Sequence, residues 1–328
     1  MNFKLIKMLS DGEFHSGVAL GRLLGLTRAA VWKQIIQLNE SGLKIESVKG
    51  KGYRLLDSVS MLDAENIREQ LLFSFPGRLR AINILESVNS TNDYLKAQLC
   101  SLQVGSGDLC VAEQQTSGRG RRGRDWVSPF AQNIYLSLSY KLSGGFASLS
   151  GLSLAIGVVI AEVLETVSGI GPSLKWPNDI LTDSKKLAGI LIDVEGEQNG
   201  PVAVVIGVGI NVEMIEPPSD AIGQPWTSIV LAGGRKGCRE ELCIKVVAAM
   251  LDCIAQFELE GFSSFMDRWH KYDGYIGKEV VLQGFQDSIR GRYLGVDALG
   301  GVMVKVGDGS PRTFNAGELS LREAECES

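Results

Sequence analysis

The chain has 328 residues, of which 45% are hydrophobic and 22% charged, a globular composition that excludes disordered, collagen-like and mucin-like classes. At roughly 100–200 residues per domain the length allows two or three domains. The formal net charge of −5 argues by itself against nucleic acid, but the first 56 residues hold nine basic and four acidic side chains, a local +5, against −10 for the remainder. A basic head on an acidic body is the asymmetry of a nucleic-acid arm.

The head reads as three helices and a hairpin. Apolar residues at helical spacing mark 3–9, and GEFHSG interrupts them. A helix is expected over 17–24, with Val18, Leu20, Leu23 and Leu24 on its inner face. Gly25-Leu26 forms a turn, and Thr27 caps a helix over 28–40 that ends at Gly42. Ala30, Val31, Ile35 and Leu38 point inward, while Arg28, Trp32, Lys33 and Gln37 form the outer face. The stretch IESVKGKGYRLL is a hairpin with Gly50-Lys51-Gly52 at its tip. Helix, short turn, second helix and basic wing make the pattern of a winged helix-turn-helix, with Arg28, Trp32, Lys33, Lys49 and Lys51 as the DNA-facing candidates. The alternative is a small helical module whose lysines are merely solvated.

A polar stretch follows, so the first boundary is placed at residue 60. From 61 to 272 the pattern is that of a mixed, mostly antiparallel α/β domain. Strands are expected at 82–86, 108–113, 133–140, 174–176, 186–194 and 202–212. Ser90 caps a helix starting Thr91-Asn92, and further helices cover 149–167, 240–257 and 262–272. From 273 to 328 short strands with Gly- and Asp-rich turns form a small β domain. No secretory signal is apparent at MNFKLIKMLSDGEF, the longest apolar stretch is broken by Glu162 and is too short for a bilayer, and the six cysteines form no CxxC, so a cytoplasmic protein with reduced thiols is expected. His15 and His270 have no companions at zinc-ligand or triad spacing, and no GxxxxGK[ST] loop occurs.

Three motifs carry the chemistry. GRGRRGRDW, Gly118 to Trp126, contains GxGxxG but precedes a strand rather than a helix, which removes the dinucleotide reading. Four arginines on a glycine backbone form instead a cationic loop, unable to pack internally and mobile until an anion draws it closed, or else a surface loop of solvated charge. In Lys175-Trp176-Pro177-Asn178-Asp179, followed by Lys186-Leu187-Ala188-Gly189, the lysines can hold phosphate and Asp179 can hold Mg²⁺; Trp176 reads as core, and Asn178-Asp179 fits a plain turn equally. Gly207 and Gly209, in a β-branched strand ending at Asn211, mark either close approach of a ligand or a bulge.

Together the helix-turn-helix with HSG, RAAVWK and GKGYRL, the Ser90-Thr91-Asn92 triplet, GRGRRGR-x-W, KWPND, KLAGIL, GxGIN and the late Leu321-Arg322 resemble bifunctional biotin–protein ligases that double as repressors of the biotin operon. The resemblance covers nearly the whole chain. It implies an α+β multidomain protein: a winged helix-turn-helix at 1–60, a biotin/lipoate-ligase-like catalytic domain at 61–272 and an SH3-like β-barrel at 273–328. It implies that biotin and ATP give biotinyl-5′-adenylate, that biotin then passes to a lysine of the biotin carboxyl carrier protein of acetyl-CoA carboxylase, and that the adenylate is corepressor for a homodimer on operator DNA. By the same resemblance Ser90, Thr91, Asn92 and Gln115 line the ureido end of biotin, and Arg119, Gly120 and Arg121 belong to the closing loop. Trp126 covers adenine, Asn211 contacts it, and Asn178 joins the nucleotide site. Lys186 bridges carboxylate and α-phosphate, with Arg121 as its catalytic companion. Lys175 and Asp179 handle phosphates and Mg²⁺, and Arg322 reaches in from the C-terminal domain. One departure is Asp125, where some relatives carry a basic residue.

Overall fold

The computed structural model describes the chain except Met1 and residues 41–42, 57–59, 197–199, 218–221, 285–287, 316–319 and 324–328. The expected helix stop at Gly42, part of the linker, and Cys326 therefore lie outside the described residues.

The head begins with α1 (Phe3–Leu9), α2 (Gly17–Leu24) and α3 (Arg28–Glu40), followed by the antiparallel hairpin β1 (Ile45–Val48) and β2 (Gly52–Leu55). Ser16 and Thr27 cap α2 and α3 through their side-chain oxygens, and Gly25 closes α2 in the left-handed region. Leu20, Val31, Ile35 and Leu38 are buried as expected, but Val18 and Leu23 are exposed. The inward face of α2 is set by small residues instead: a Cβ on Gly17 would lie 3.2 Å from Tyr53, and Gly21 packs against the Leu26 carbonyl. Gly17, Leu20 and Gly21 make the buried face, and Val18 and Leu23 lie off it by helical spacing.

The central unit contains α4 (Ala64–Ser74), β3 (Leu79–Leu85), α5 (Thr91–Lys96), β4 (Gly107–Ala112), β5 (Ile134–Leu142), α6 (Leu152–Ser168), β6 (Ser173–Lys175), β7 (Asp179–Thr182), β8 (Lys185–Gly196), β9 (Val202–Ile210), α7 (Arg239–Glu260) and α8 (Met266–Tyr272). Its seven strands run in the order β3-β4-β5-β9-β8-β7-β6, with β3 and β4 the parallel pair. Helix α4 and strand β7 were not expected: α4 buries only Ile67 and Leu71, too few for a periodic signal. On β5, Ile134, Leu136, Leu138 and Tyr140 are buried on one face, and Tyr135, Ser137 and Ser139 on the other. The segment Phe146–Ser168 is apolar and long enough to cross a membrane. Its helix α6 lies instead in the core, packed against α7, α8 and β8. The expected helix over 262–272 opens as a 3-10 turn, Phe262–Phe265, before α8.

The C-terminal unit comprises β10 (Glu279–Gln283), β11 (Ser288–Val296), β12 (Val302–Val306), β13 (Pro311–Phe314) and β14 (Ser320–Glu323), an antiparallel sheet ordered β13-β12-β11-β10-β14. The stretch RTFNAGELSL contributes to two strands at opposite edges of this sheet. Trp176 is core, as expected, and its Nε1 donates to the Gly300 carbonyl at 3.0 Å.

Head and central unit are joined by packing. Phe130 and Ala131, which follow the arginine-glycine loop, are buried in the core of the head, with the Phe130 ring 5.4 Å from that of Phe3. A buried ion pair holds the connection: Arg239 donates to Glu113 at 2.6 Å, to the Ser60 carbonyl at 2.5 Å and to the Asn133 carbonyl at 3.3 Å. The other oxygen of Glu113 accepts from Leu62 N at 2.6 Å.

Candidate functional site

Strands β8 and β9 make the floor of a cavity of about 390 Å³. Gly189 and Gly209 are direct cross-strand partners, and the Trp126 ring lies across both. A Cβ on Gly209 would stand 2.6 Å from Trp126 Nε1, and one on Gly189 would stand 3.1 Å from Trp126 Cζ3. Gly207, one pleat away, leaves room for Asn92, whose Cγ would be 2.9 Å from a Cβ there. The register of β9 with both neighbours is unbroken at these residues. The glycines thus permit close approach, and the bulge alternative is removed. The indole N–H of Trp126 is buried without a hydrogen-bond partner, a donor left over at the cavity wall.

One end of the cavity is neutral and polar. Ser90 caps α5, placing Thr91 and Asn92 on its buried first turn. Thr91 N and its hydroxyl both reach Gln115 Oε1, at 2.9 and 3.1 Å. Gln115 Nε2 donates to Ser128 Oγ, and Ser137 Oγ contacts Thr91 Oγ1 and Asn92 Oδ1. Leu136, Ile190, Val208 and Met214 supply apolar wall.

The other end is cationic. Lys186, with 12% of its side chain exposed, pairs with Asp179 at 2.7 Å and stands 5.3 Å from the Trp126 ring centre. Burial, then the neighbouring Lys186, Arg322 and Arg124, lower the pKa of Lys175, against the pull of Asp179. Burial likewise lowers that of Arg121. These depressed values record like charges gathered out of water, a repulsion that an anion relieves. Lys175, Asp179 and Arg322 stand beside the cavity lining rather than in it, and Arg322 is exposed on β14. Asn178 Oδ1 accepts from Arg121 at 3.3 Å, and its Nδ2 donates to the Ile190 carbonyl. Asn211 is buried and held by the Thr227 carbonyl at 3.0 Å.

The arginine-glycine loop differs from expectation, because it packs on itself. Gly120 N donates to Arg124 O at 2.7 Å and Trp126 N to Gly118 O at 2.9 Å, around a 3-10 turn at Arg121–Gly123. Arg122 and Gly123 adopt positive φ. The exposed Asp125 forms the backbone bridge to Arg119. Arg119 pairs with Asp93 at 2.5 Å and Asp193 at 3.2 Å. Sequence reasoning missed Asp193, and also Trp226, Gln224 and Met214 of the cavity wall. Trp226 lies in a Gly- and Pro-rich loop and bridges Lys186; an aromatic within such a loop was its only signal. On the head, Arg28, Trp32, Lys33, Lys49 and Lys51 are all exposed.

A cavity on a mixed sheet, lidded by an arginine-glycine hairpin and flanked by a helix-turn-helix head and a small β unit, defines the biotin/lipoate ligase class. Residues 84–211 match the biotin/lipoate A/B protein ligase family, 2–54 an HTH domain and 275–322 the biotin protein ligase C terminal domain. The bifunctional ligase/repressor BirA of Salmonella typhimurium is 41% identical, over 98% of this chain and 97% of its own, and that of Escherichia coli is 39% identical over the same shares. The biotin protein ligase of Aquifex aeolicus, solved with biotin and ATP, superposes with a TM-score of 0.62 at 30% identity, covering 75% of this chain and all of its own. The chain belongs to the bifunctional biotin–protein ligase/repressor family.

Proposed function

We propose that the chain makes biotinyl-5′-adenylate from biotin and ATP in this cavity, passes the biotinyl group to a lysine of a biotin carboxyl carrier protein, and uses the adenylate as corepressor on operator DNA. The observation that carries this reading is the polarity of the cavity. Its neutral hydrogen-bonding end suits the ureido ring of biotin, and its cationic end suits a carboxylate meeting a triphosphate.

The carboxylate oxygen attacks the α-phosphorus and pyrophosphate leaves. The acceptor amine then attacks the acyl carbon, AMP leaves with the bonding electrons, and the amine loses a proton. Lys186 sits where both anions meet and stays bound as charge moves between them. Arg121 screens the same region from the lid, Lys175 and Arg322 face the outgoing phosphates, and Trp126 and Asn211 border the adenine space. Asp179 is one hard oxygen donor, and no cluster of three metal-ligating side chains occurs among the described residues. That set fits Mg²⁺ brought by the triphosphate: Asp179 would hold it, and the ion would neutralise phosphate charge. The lid keeps water from the mixed anhydride.

The division 1–60, 61–272 and 273–328 assigns DNA contact to the exposed face of α3 and to the Lys49–Lys51 wing. Dimerisation of the adenylate-bound chain in the cytoplasm completes the repressor. The first test is biotin-dependent ATP–pyrophosphate exchange; its absence in folded protein refutes the enzyme. The second is affinity for a palindromic operator with and without biotinyl-adenylate; equal affinities refute the corepressor role.

A further inference from the structure

Asp193 belongs to none of the sequence motifs, yet two functional groups converge on it. It lies on β8 behind Asn92, beside the cavity lining rather than in it, and its Oδ2 accepts from Asn92 Nδ2 at 3.0 Å and from Arg119 Nη2 at 3.2 Å. Asn92 is part of the cavity wall, and Arg119 is the first arm of the lid. We propose that Asp193 is a positioning residue that couples recognition of the biotin head to closure of the lid. This inference rests on the biotin reading above.

Within the hydrogen-bonded ring the Asp193 carboxylate sets the direction of the Asn92 and Ser137 hydrogen bonds, and the Thr91 N–H sets that of Gln115. A carboxylate only accepts, so Asn92 turns its Nδ2 to Asp193 and its Oδ1 to Ser137, 2.6 Å away. The single Ser137 hydrogen goes to that oxygen. Thr91 Oγ1, 2.7 Å from Ser137 Oγ, then supplies the hydrogen that reaches Ser137 or Gln115 Oε1. Because Gln115 Oε1 also accepts from Thr91 N, its Nε2 is directed to Ser128 Oγ at 3.1 Å, and Ser128 donates to the Trp126 carbonyl at 2.9 Å. The ring therefore runs from Arg119, through the ligand-facing amides, to Trp126, and joins the two ends of the lid. Gly207 leaves the space in which Asn92 makes these contacts. An amide at position 193 presents either a donor or an acceptor, so the orientation of Asn92 is no longer imposed, and Arg119 loses one of its two counter-charges.

Asp93 separates the two roles. Its carboxylate also pairs with Arg119, at 2.5 Å, whereas the Asn92 amide turns to Asp193. The experiment uses the full-length wild type, D193N, D193E and D93N. It measures KM for biotin and kcat in pyrophosphate exchange, release of preformed adenylate, and the rate of tryptic cutting within 119–124. Charge-assisted hydrogen bonds are worth about 1.5–3 kcal/mol each, so D193N is expected to raise KM for biotin about tenfold or more with kcat within about threefold. It should also speed adenylate release and lid cutting about tenfold. D193E should recover part of both, and D93N should speed release and cutting while leaving KM for biotin near wild type.

An active wild type with D193N unchanged in KM and release overturns this inference alone. So does D93N shifting KM as far as D193N does. If D193N and D193E both fail to fold, Asp193 is a structural residue and the inference fails. A folded wild type without biotin-dependent exchange overturns the functional reading and this inference with it.

Discussion

Replacing Arg239 with Met tests what holds the head to the enzyme. Arg239 and Glu113 are 4% and 3% exposed, and the guanidinium also caps the carbonyls of Ser60 and Asn133. Removing it leaves the Glu113 carboxylate buried without a counter-charge, which costs about 3–5 kcal/mol. For a unit of this size each kcal/mol lowers Tm by about 2–4 °C, so the transition of the central unit should fall by about 6–20 °C. The double variant Arg239→Met with Glu113→Gln buries no charge, and the side-chain oxygen at 113 can still accept from Leu62 N. It should recover about half of the loss, a favourable coupling read from the double-mutant cycle by calorimetry. A single-variant loss below about 1 kcal/mol, or a double variant as unstable as the sum of its parts, would refute the assignment of this pair as the clamp.

Other expectations are quicker to check. Gly209→Ala lifts the Trp126 ring from its glycine floor; since stacking on a base is worth about 1–3 kcal/mol, Kd for ATP by titration calorimetry should rise about 5- to 150-fold while Tm changes little. Lys175→Met should stabilise the empty protein and weaken ATP binding together, because a buried ammonium among cations is relieved when removed. The sign is fixed by the lowered pKa: the Lys175 charge penalises the fold below that value, and the penalty fades as pH rises toward the ordinary lysine value of about 10.4. Thermal scans of wild type and variant should therefore converge at alkaline pH. Lys49→Ala with Lys51→Ala should reduce the log–log salt slope of operator binding by about 1.8, at about 0.9 per phosphate contact; an unchanged slope removes the wing from the interface.

Much of this was legible in the chain order of residues, and for identifiable reasons. Period and capping exposed α3, and glycine spacing in GxGIN left close approach at Gly207 and Gly209 as one of two readings, which the fold decides because only a missing Cβ admits Asn92 and Trp126 there. The lid hairpin was not legible, because Arg119 is balanced by Asp93 and Asp193, distant in sequence, and the turn is held by backbone bonds that no residue pattern announces. Asp193 was invisible for the same reason: an acid on an amphipathic strand looks solvated until a fold brings an amide and a guanidinium to it. Val18 and Leu23 misled because the buried face of α2 is 17, 20, 21 and 24, the i, i+3, i+4, i+7 positions, and two of those are glycines that carry no apolar signal.

The burial of Phe130 in the head has a consequence for how this protein can change. The residue follows the lid by a few positions and completes a core built from α1 to β2. The DNA-binding head is therefore not a detachable module. A chain beginning at residue 61 would expose an aromatic side chain beside the active-site lid, and a substitution at Phe3 would alter the enzyme without touching its cavity. The head and the segment that follows the lid share one set of packed side chains, so a change in either is felt by the other.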